Sequence, residues 1–102
     1  MTAEGKLEYI RQHTELEANL AQLAEEASEL SQAALKLRRT LGFGTPTDTT
    51  EMEARQALLD ESGDVVFCLK LVCTGKFDLE LIDSRMEYNA ERGLRRCEGL
   101  PR

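Results

Sequence analysis

Apolar residues between Leu16 and Leu41 recur every three or four positions, the spacing that places side chains on one face of an α-helix. The stripe consists of Leu16, Leu20, Leu23, Ala27, Leu30, Ala34, Leu37 and Leu41. The sequence therefore predicts a long amphipathic helix, helix two. Thr14 precedes it as a candidate N-cap, with Glu17 in the position of a capping-box partner.

Two further helices flank this one. Leu7 and Ile10, three residues apart, indicate a short first helix that ends near His13. After the loop-like segment "GFGTPTDTT", helix three is predicted to begin between positions 48 and 50 and to run to about Thr74, where Gly75 offers a C-cap. The run "VVFCLKLVC" alone is compatible with a buried strand, but the residues before it extend the helical pattern too far for one.

A fourth helix follows, for which Asp78 is the candidate cap. Its inward residues are expected to be Leu79, Ile82 and Met86. We predict an all-α fold, a four-helix bundle based on an antiparallel helical hairpin, in one domain of residues 1–102 with a frayed tail at 97–102. Since a core of this size buries only part of the chain's apolar surface, we expect a homodimer or a dimer of dimers.

The charge balance limits the partners. Thirteen Lys and Arg stand against nineteen Asp and Glu, for a net charge of −6, which disfavours nucleic-acid polymers and anionic membranes. No apolar stretch is long enough to span a membrane, and the start "MTAEGKLEYIRQ" lacks the apolar centre of a signal peptide. The three cysteines match neither a zinc site nor a disulfide framework. We therefore expect a cytoplasmic protein with reduced cysteines.

Two acidic motifs are the main functional signal. Helix two carries "EEASE", with Glu26 and Glu29 three residues apart, and helix three carries "ESGD", with Glu61 and Asp64 at the same spacing. Residues three apart lie on one helical face, so each pair can share a cation. The alternative for either pair taken alone is a solvated surface.

Taken together, the pairs are predicted to converge. On helical wheels both fall on the same flank, roughly 60–140° from the apolar stripe of their own helix. Glu29 lies eleven residues before position 40, and Glu61 eleven residues after position 50; Glu26 and Asp64 match in the same way at fourteen. An antiparallel hairpin then brings four carboxylates to one level, where Mg²⁺ or Mn²⁺ would offset their repulsion.

Gly63 separates the acids of "ESGD". Glycine inside a helix costs about 1 kcal/mol relative to alanine, so it suggests a close approach by a helix or ligand; the alternative is a merely tolerated glycine.

Other polar residues are candidates for contacting a phosphate-bearing ligand. On the flank of helix two that carries the acids, Lys36 can meet a phosphate and Gln22 a base or sugar edge, and for each the alternative is a solvated surface role. Helix four adds a polar stripe with two positive charges: Arg85, Asn89 and Arg92. Guanidinium groups facing a carboxylate-bound metal would make a polyphosphate site.

These features resemble the MazG-like, all-α nucleoside triphosphate pyrophosphohydrolases of the small phage and bacterial type. That superfamily is marked by an EExxE motif on one helix and an ExxD motif on the next, here "EEASE" and "ESGD". "LLDESGDVVFCL" and "RMEYNAERGLRR" are also similar to segments of its members, and the resemblance covers residues 16–96. Two departures are a long gap between the acidic motifs and Arg85 where many relatives have lysine.

The resemblance implies Mg²⁺-dependent hydrolysis of a nucleoside triphosphate between its α and β phosphates, giving the monophosphate and pyrophosphate, in a nucleotide-pool house-cleaning role. By motif position, the implied Mg²⁺ ligands are Glu26, Glu29, Glu61 and Asp64, with Mn²⁺ as a possible substitute. Glu25 would complete the catalytic set, either by supporting the metal ligands from behind them or by helping to orient water. The implied phosphate contacts are Arg85, Asn89, Arg92 and Lys36, and Asn89 is also able to reach the sugar.

Two other functions stay open at this point. Phosphoribosyl-ATP pyrophosphohydrolases share the acidic pattern, so the substrate could be phosphoribosyl-ATP. A non-enzymatic helical oligomerisation or adaptor module would carry the same acids as a solvated face. Base and sugar preference are not readable from these motifs.

Overall fold

A computed structural model describes residues 1–100, and this part of the chain is all-helical, with no strand. The helices are α1 (Ala3–His13), α2 (Leu16–Thr40), α3 (Glu51–Val72) and α4 (Lys76–Cys97). The all-α prediction is confirmed. Two residues of the predicted frayed tail, Pro101 and Arg102, lie outside the described residues. No described helix is both long and apolar enough to cross a bilayer.

The backbone divides into two compact units, Met1–Val72 with α1 to α3 and a second that begins at Cys73 and contains α4. We describe each unit by itself. The prediction of one domain stays a prediction.

In the first unit, α2 and α3 pack against each other, and α1 packs on α3. The buried apolar residues are few and mostly small: Leu7, Ala33, Ala54, Cys68 and Leu71. Alanine and cysteine at a helix contact allow the two backbones to approach closely. By contrast, the stripe residues Leu16, Leu20 and Leu41 are exposed in the single chain.

Arg11 ties α1 to the end of α3. Its Nη2 donates to the backbone oxygen of Lys70 at 2.7 Å and its Nε donates to the same oxygen at 3.3 Å. Since the last carbonyl groups of a helix lack partners within the helix, a guanidinium is well suited to this position. Arg11 also pairs with Glu8 at 2.8 Å.

A reciprocal capping box begins α3. The Glu53 N–H donates to Thr50 Oγ1 at 3.2 Å, and Glu53 Oε1 accepts from the Thr50 hydroxyl at 2.8 Å and from its N–H at 3.4 Å. The predicted start near positions 48–50 is confirmed. The helix ends at Val72, two residues before the predicted end.

Three predicted caps are wrong, and the first two are those of α2 and α3. Glu15, not Thr14, is the N-cap of α2, and it makes no side-chain cap bond. Thr14 Oγ1 instead donates back to the Ile10 carbonyl at 2.7 Å, which satisfies the end of α1. Gly75 is the N-cap of α4 rather than the C-cap of α3.

The loop after α2 contains a glycine in a conformation that strongly favours this residue type. Gly42 has φ +97°, a left-handed conformation that side chains with a Cβ rarely adopt. The N–H groups of Gly42 and Phe43 donate to the carbonyl groups of Arg39 and Arg38 at 3.0 and 3.3 Å, closing the open end of the helix.

In the second unit, Asp78 occupies the third position of α4 rather than the cap. Its Oδ2 accepts from the Gly75 N–H at 3.4 Å, so the side chain still helps to satisfy the helix start. The apolar residues expected to face inward are exposed in the single chain, at 46% for Leu79, 44% for Ile82 and 63% for Met86. Helix α4 has no buried residue.

Candidate metal centre

Three of the four predicted carboxylate ligands come together. Glu26 and Glu29 on α2 and Glu61 on α3 each offer one carboxylate oxygen, and these oxygens all lie within 4.8 Å of one another. The three side chains are half-buried. We call these three residues the acidic cluster.

Two oxygens of the acidic cluster have no protein donor. Glu26 Oε2 and Glu61 Oε2 are shielded from water and accept no hydrogen bond from the described residues. Leaving a buried acceptor unsatisfied is costly, because it loses its bonds to water and gains none. A cation between the helices would satisfy both oxygens.

Like-charge repulsion and partial desolvation raise the pKa of two carboxyl groups of the acidic cluster. The Glu26 carboxylate raises the pKa of Glu29 above its ordinary value, and partial desolvation raises it further. Partial desolvation is the main reason that the pKa of Glu61 is raised, and the charges of Glu29, Glu26 and Asp64 add to it. Both shifts mean that the folded chain holds protons more tightly here than an unfolded chain does.

Asp64, the fourth predicted ligand, is not part of the acidic cluster. It is exposed and lines a cavity of about 330 Å³ together with Glu26, Gln22, Phe67 and Cys68. Its charge nevertheless acts on the cluster through Glu61. Asp64 thus lies at the open side of the site.

Gln22 positions one member of the acidic cluster. Its Nε2 donates to Glu26 Oε1 at 2.8 Å, one helical turn away on α2. This bond occupies Oε1 and leaves the unpartnered Oε2 as the atom of Glu26 available to a cation. Gln22 was predicted to contact substrate, and that role stays a prediction.

The acidic cluster fits a small, hard divalent cation. All of its donors are oxygens, the ligand type preferred by Mg²⁺ and Mn²⁺. At Mg–O distances of about 2.0–2.1 Å, opposite ligands are about 4.2 Å apart and adjacent ligands about 3 Å apart, and any three ligands include at least two adjacent pairs. Oxygens within 4.8 Å of one another would therefore close by up to about 2 Å to bind one ion directly, or would hold it partly through water. Burial raises the pKa of the nearby Cys68 thiol, as do the charges of Glu26 and Asp64, which keeps that sulfur protonated and disfavours it as a ligand.

Two other predicted residues of α2 lie outside the cluster. Glu25 is exposed, and its charge contributes to the raised pKa of Glu29. Lys36 is also exposed and lies close enough to Glu53 to help lower the pKa of that carboxyl, although the Thr50 hydrogen bonds are the larger cause. Their proposed roles with water and phosphate are untested.

The basic stripe of α4 belongs to the second unit. The guanidinium groups of Arg85 and Arg92 lie over the Tyr88 ring, with their carbons 4.6 and 5.5 Å from its centroid. Stacking of this kind limits the directions in which the two cations project. Asn89 is exposed next to this group.

Gly63 has open space beside it. A Cβ built at this position would meet no atom within 4 Å outside the helix's own neighbouring backbone. No other helix of the first unit therefore approaches Gly63 closely. Clearance for a ligand and a merely tolerated glycine are the two explanations that stay predictions.

Phe67 and Cys68 were missed by the sequence interpretation as lining residues. They lie three and four residues after Asp64, so they share its helical face, and this spacing could have identified them. Their apolar character assigned them to the core instead, which is correct for Cys68 but not for Phe67.

Comparison of the chain with protein-family models, curated proteins and solved structures gave no match.

Proposed function

We propose that this chain is a Mg²⁺-dependent nucleoside triphosphate pyrophosphohydrolase of the MazG-like, all-α type, which converts a nucleoside triphosphate to the monophosphate and pyrophosphate. The observation that supports the proposal is the meeting of Glu26, Glu29 and Glu61 within 4.8 Å, with two oxygens that have no donor. A bound cation would relieve the repulsion between carboxylates at this spacing, and a cation-bound triphosphate is a substrate that such a site can take.

The acidic residues of the two motifs have different roles in this proposal, according to their positions. Glu26, Glu29 and Glu61 hold the metal from the two helices, and Asp64 adds a carboxylate from the open side. When bound, Mg²⁺ neutralises the triphosphate, polarises the phosphorus under attack and lowers the pKa of water. Glu25, exposed beside the cluster, orients the attacking water and accepts its proton.

Phosphate binding is assigned to the basic stripe of α4. Arg85 and Arg92 carry planar, permanently charged groups that pair with phosphate oxygens through two hydrogen bonds each. Asn89, between them in sequence, reaches the sugar or a phosphate. Lys36 supplies a further positive charge from α2.

The assembly proposed for this function is an antiparallel α2–α3 hairpin in one bundle domain, present as a homodimer or a dimer of dimers. Residues late in α2 share a cavity with Leu58 near the start of α3, whereas Glu29, earlier in α2, meets Glu61, later in α3. That order supports an antiparallel pair. Exposed apolar residues, Leu59 and Val66 among them, supply surface for a second copy.

A pyrophosphate-release screen tests the activity. Common and modified nucleoside triphosphates and phosphoribosyl-ATP are incubated with the protein and Mg²⁺. We expect turnover of at least one nucleoside triphosphate, and no turnover of any would refute the proposal. Turnover of phosphoribosyl-ATP alone would select that narrower activity.

Neighbouring acids on α3 give a matched pair of variants. Glu61→Gln removes a cluster carboxylate and is expected to lower the pyrophosphate-release rate at least about 100-fold. Asp60→Asn removes the adjacent carboxylate, which is exposed and accepts from Gln56 at 2.8 Å, and should leave the rate unchanged.

Calorimetry with Mn²⁺ then separates metal binding from hydrolysis. No metal binding, or equal binding by the Glu61→Gln variant, would favour the adaptor alternative.

A further inference from the structure

A second cavity lies between α1 and α3. Its volume is about 290 Å³, and its lining residues are Ala3, Lys6, Leu7, Ile10, Phe67 and Lys70. The hydrogen bonds from Arg11 to the Lys70 carbonyl hold the two helices together at its end. Cavities of this size with apolar walls and a few polar groups are typical of small-molecule sites.

Phe67 joins this cavity to the acidic site. The same side chain lines the cavity between α1 and α3 and the cavity that contains Glu26 and Asp64. Phe67 lies six residues beyond Glu61, or roughly 9 Å along the helix axis. That separation is comparable to the one between the triphosphate and the base of a nucleotide.

The chemistry of the cavity suits a planar ring with acceptor atoms. Leu7 and Ile10 supply apolar walls, and the 45% exposed Phe67 supplies an aromatic face. Any nucleobase can stack on an aromatic side chain, because every base has a π-face. Lys6 and Lys70 can only donate hydrogen bonds. Carbonyl oxygens on a ring edge accept such bonds, whereas the exocyclic group of adenine is an amino donor and only its ring nitrogens accept.

We propose that the cavity between α1 and α3 binds the nucleobase of the substrate, stacked against Phe67, and that Lys6 and Lys70 favour bases with ring carbonyl groups over adenine. The inference rests on the proposed function for the position of the triphosphate. It adds a base subsite and a preference among bases.

The chain contains no tryptophan, which permits a direct binding test. Phe67→Trp introduces a single reporter at the shared wall, and Phe43→Trp places one at a 58% exposed site that lines neither cavity. The probe is the non-hydrolysable α,β-imido analogue of dTTP with Mg²⁺. We expect saturable quenching of Trp fluorescence in the Phe67→Trp variant, weaker quenching with the dATP analogue, and no change in the Phe43→Trp variant.

Kinetic variants give an independent result. Phe67→Leu keeps an apolar side chain of similar exposure but removes the ring, and should raise KM roughly 5- to 150-fold with little effect on kcat. Phe67→Tyr keeps the ring and should raise KM less than Phe67→Leu does. Lys6→Met should reduce the preference for dTTP over dATP.

The outcomes separate the two proposals. Turnover of nucleoside triphosphates, together with unresponsive fluorescence in the Phe67→Trp variant and an unchanged KM in Phe67→Leu, would overturn the base subsite and leave the activity standing. Quenching without turnover would support the base subsite and refute hydrolysis. Emission that changes with protein concentration but not with nucleotide would show that a second copy covers the cavity, which would also overturn the inference.

Discussion

Gly63→Ala is expected to make the ligand-free protein more stable. Gly63 lies in the middle of α3, and a Cβ there would meet no atom within 4 Å outside the helix's own neighbouring backbone. The substitution therefore adds no clash and removes the conformational entropy that glycine loses on folding. Replacing glycine by alanine inside a helix raises the free energy of unfolding by about 0.5–1 kcal/mol. For a domain of this size, that corresponds to a rise in Tm of roughly 2–8 °C.

Thermal unfolding followed by far-ultraviolet circular dichroism in EDTA measures this gain. Gly93→Ala is the matched control, because Gly93 lies inside α4 and also has nothing within 4 Å of a built Cβ. Both variants should gain similar stability. If Gly63 provides clearance beside a bound metal and triphosphate, only Gly63→Ala will lose pyrophosphate release. A fall in Tm for Gly63→Ala would refute the reasoning, since it would mean that another group already packs there.

Three further predictions concern the first unit. Because the folded pKa of Glu29 is raised above 4.5, metal-free stability should fall as the pH rises from about 4.5 through the folded pKa, and Glu29→Gln should lessen that fall in pH-dependent denaturant titrations; an unchanged slope would contradict it. Thr50→Ala removes the α3 cap and should lower the free energy of unfolding by about 1 kcal/mol in urea titrations, whereas no loss would mean that the capping box adds nothing. Arg11→Met removes both bonds to the Lys70 carbonyl and should speed hydrogen exchange in α1 more than in α2; equal changes in both helices would argue against a local anchor.

Helix positions were predictable where periodicity decided them. The stripe from Leu16 predicts α2 to within one residue of its observed end at Thr40. The caps were harder, because short polar residues have several local partners. Thr14 can either cap the next helix or donate back to the previous one, and in the structure its hydroxyl donates to the Ile10 carbonyl. Gly75 likewise lies between two helices, and it is the N-cap of α4 rather than the C-cap of α3.

The candidate site was predictable in part for a similar reason. Periodicity places Glu26, Glu29 and Glu61 on matching flanks, and their oxygens meet. It does not resolve which side chains turn inward, and Asp64 stays exposed at the open side. The Gln22 bond to Glu26 depends on rotamers that spacing alone does not specify.

The small buried residues of α3 would make the proposed metal site adjustable. Ala54 and Cys68 lie seven residues before and after Glu61, and both are small and buried in the unit in which α3 packs on α2. Enlarging Ala54, two turns before Glu61, is expected to widen the gap between the helices near the acidic cluster, where the proposed cation would bind. Mg²⁺ requires ligands at about 2.0–2.1 Å, whereas Ca²⁺ accepts about 2.3–2.6 Å. The choice of cation is therefore expected to depend on two side chains that never touch it.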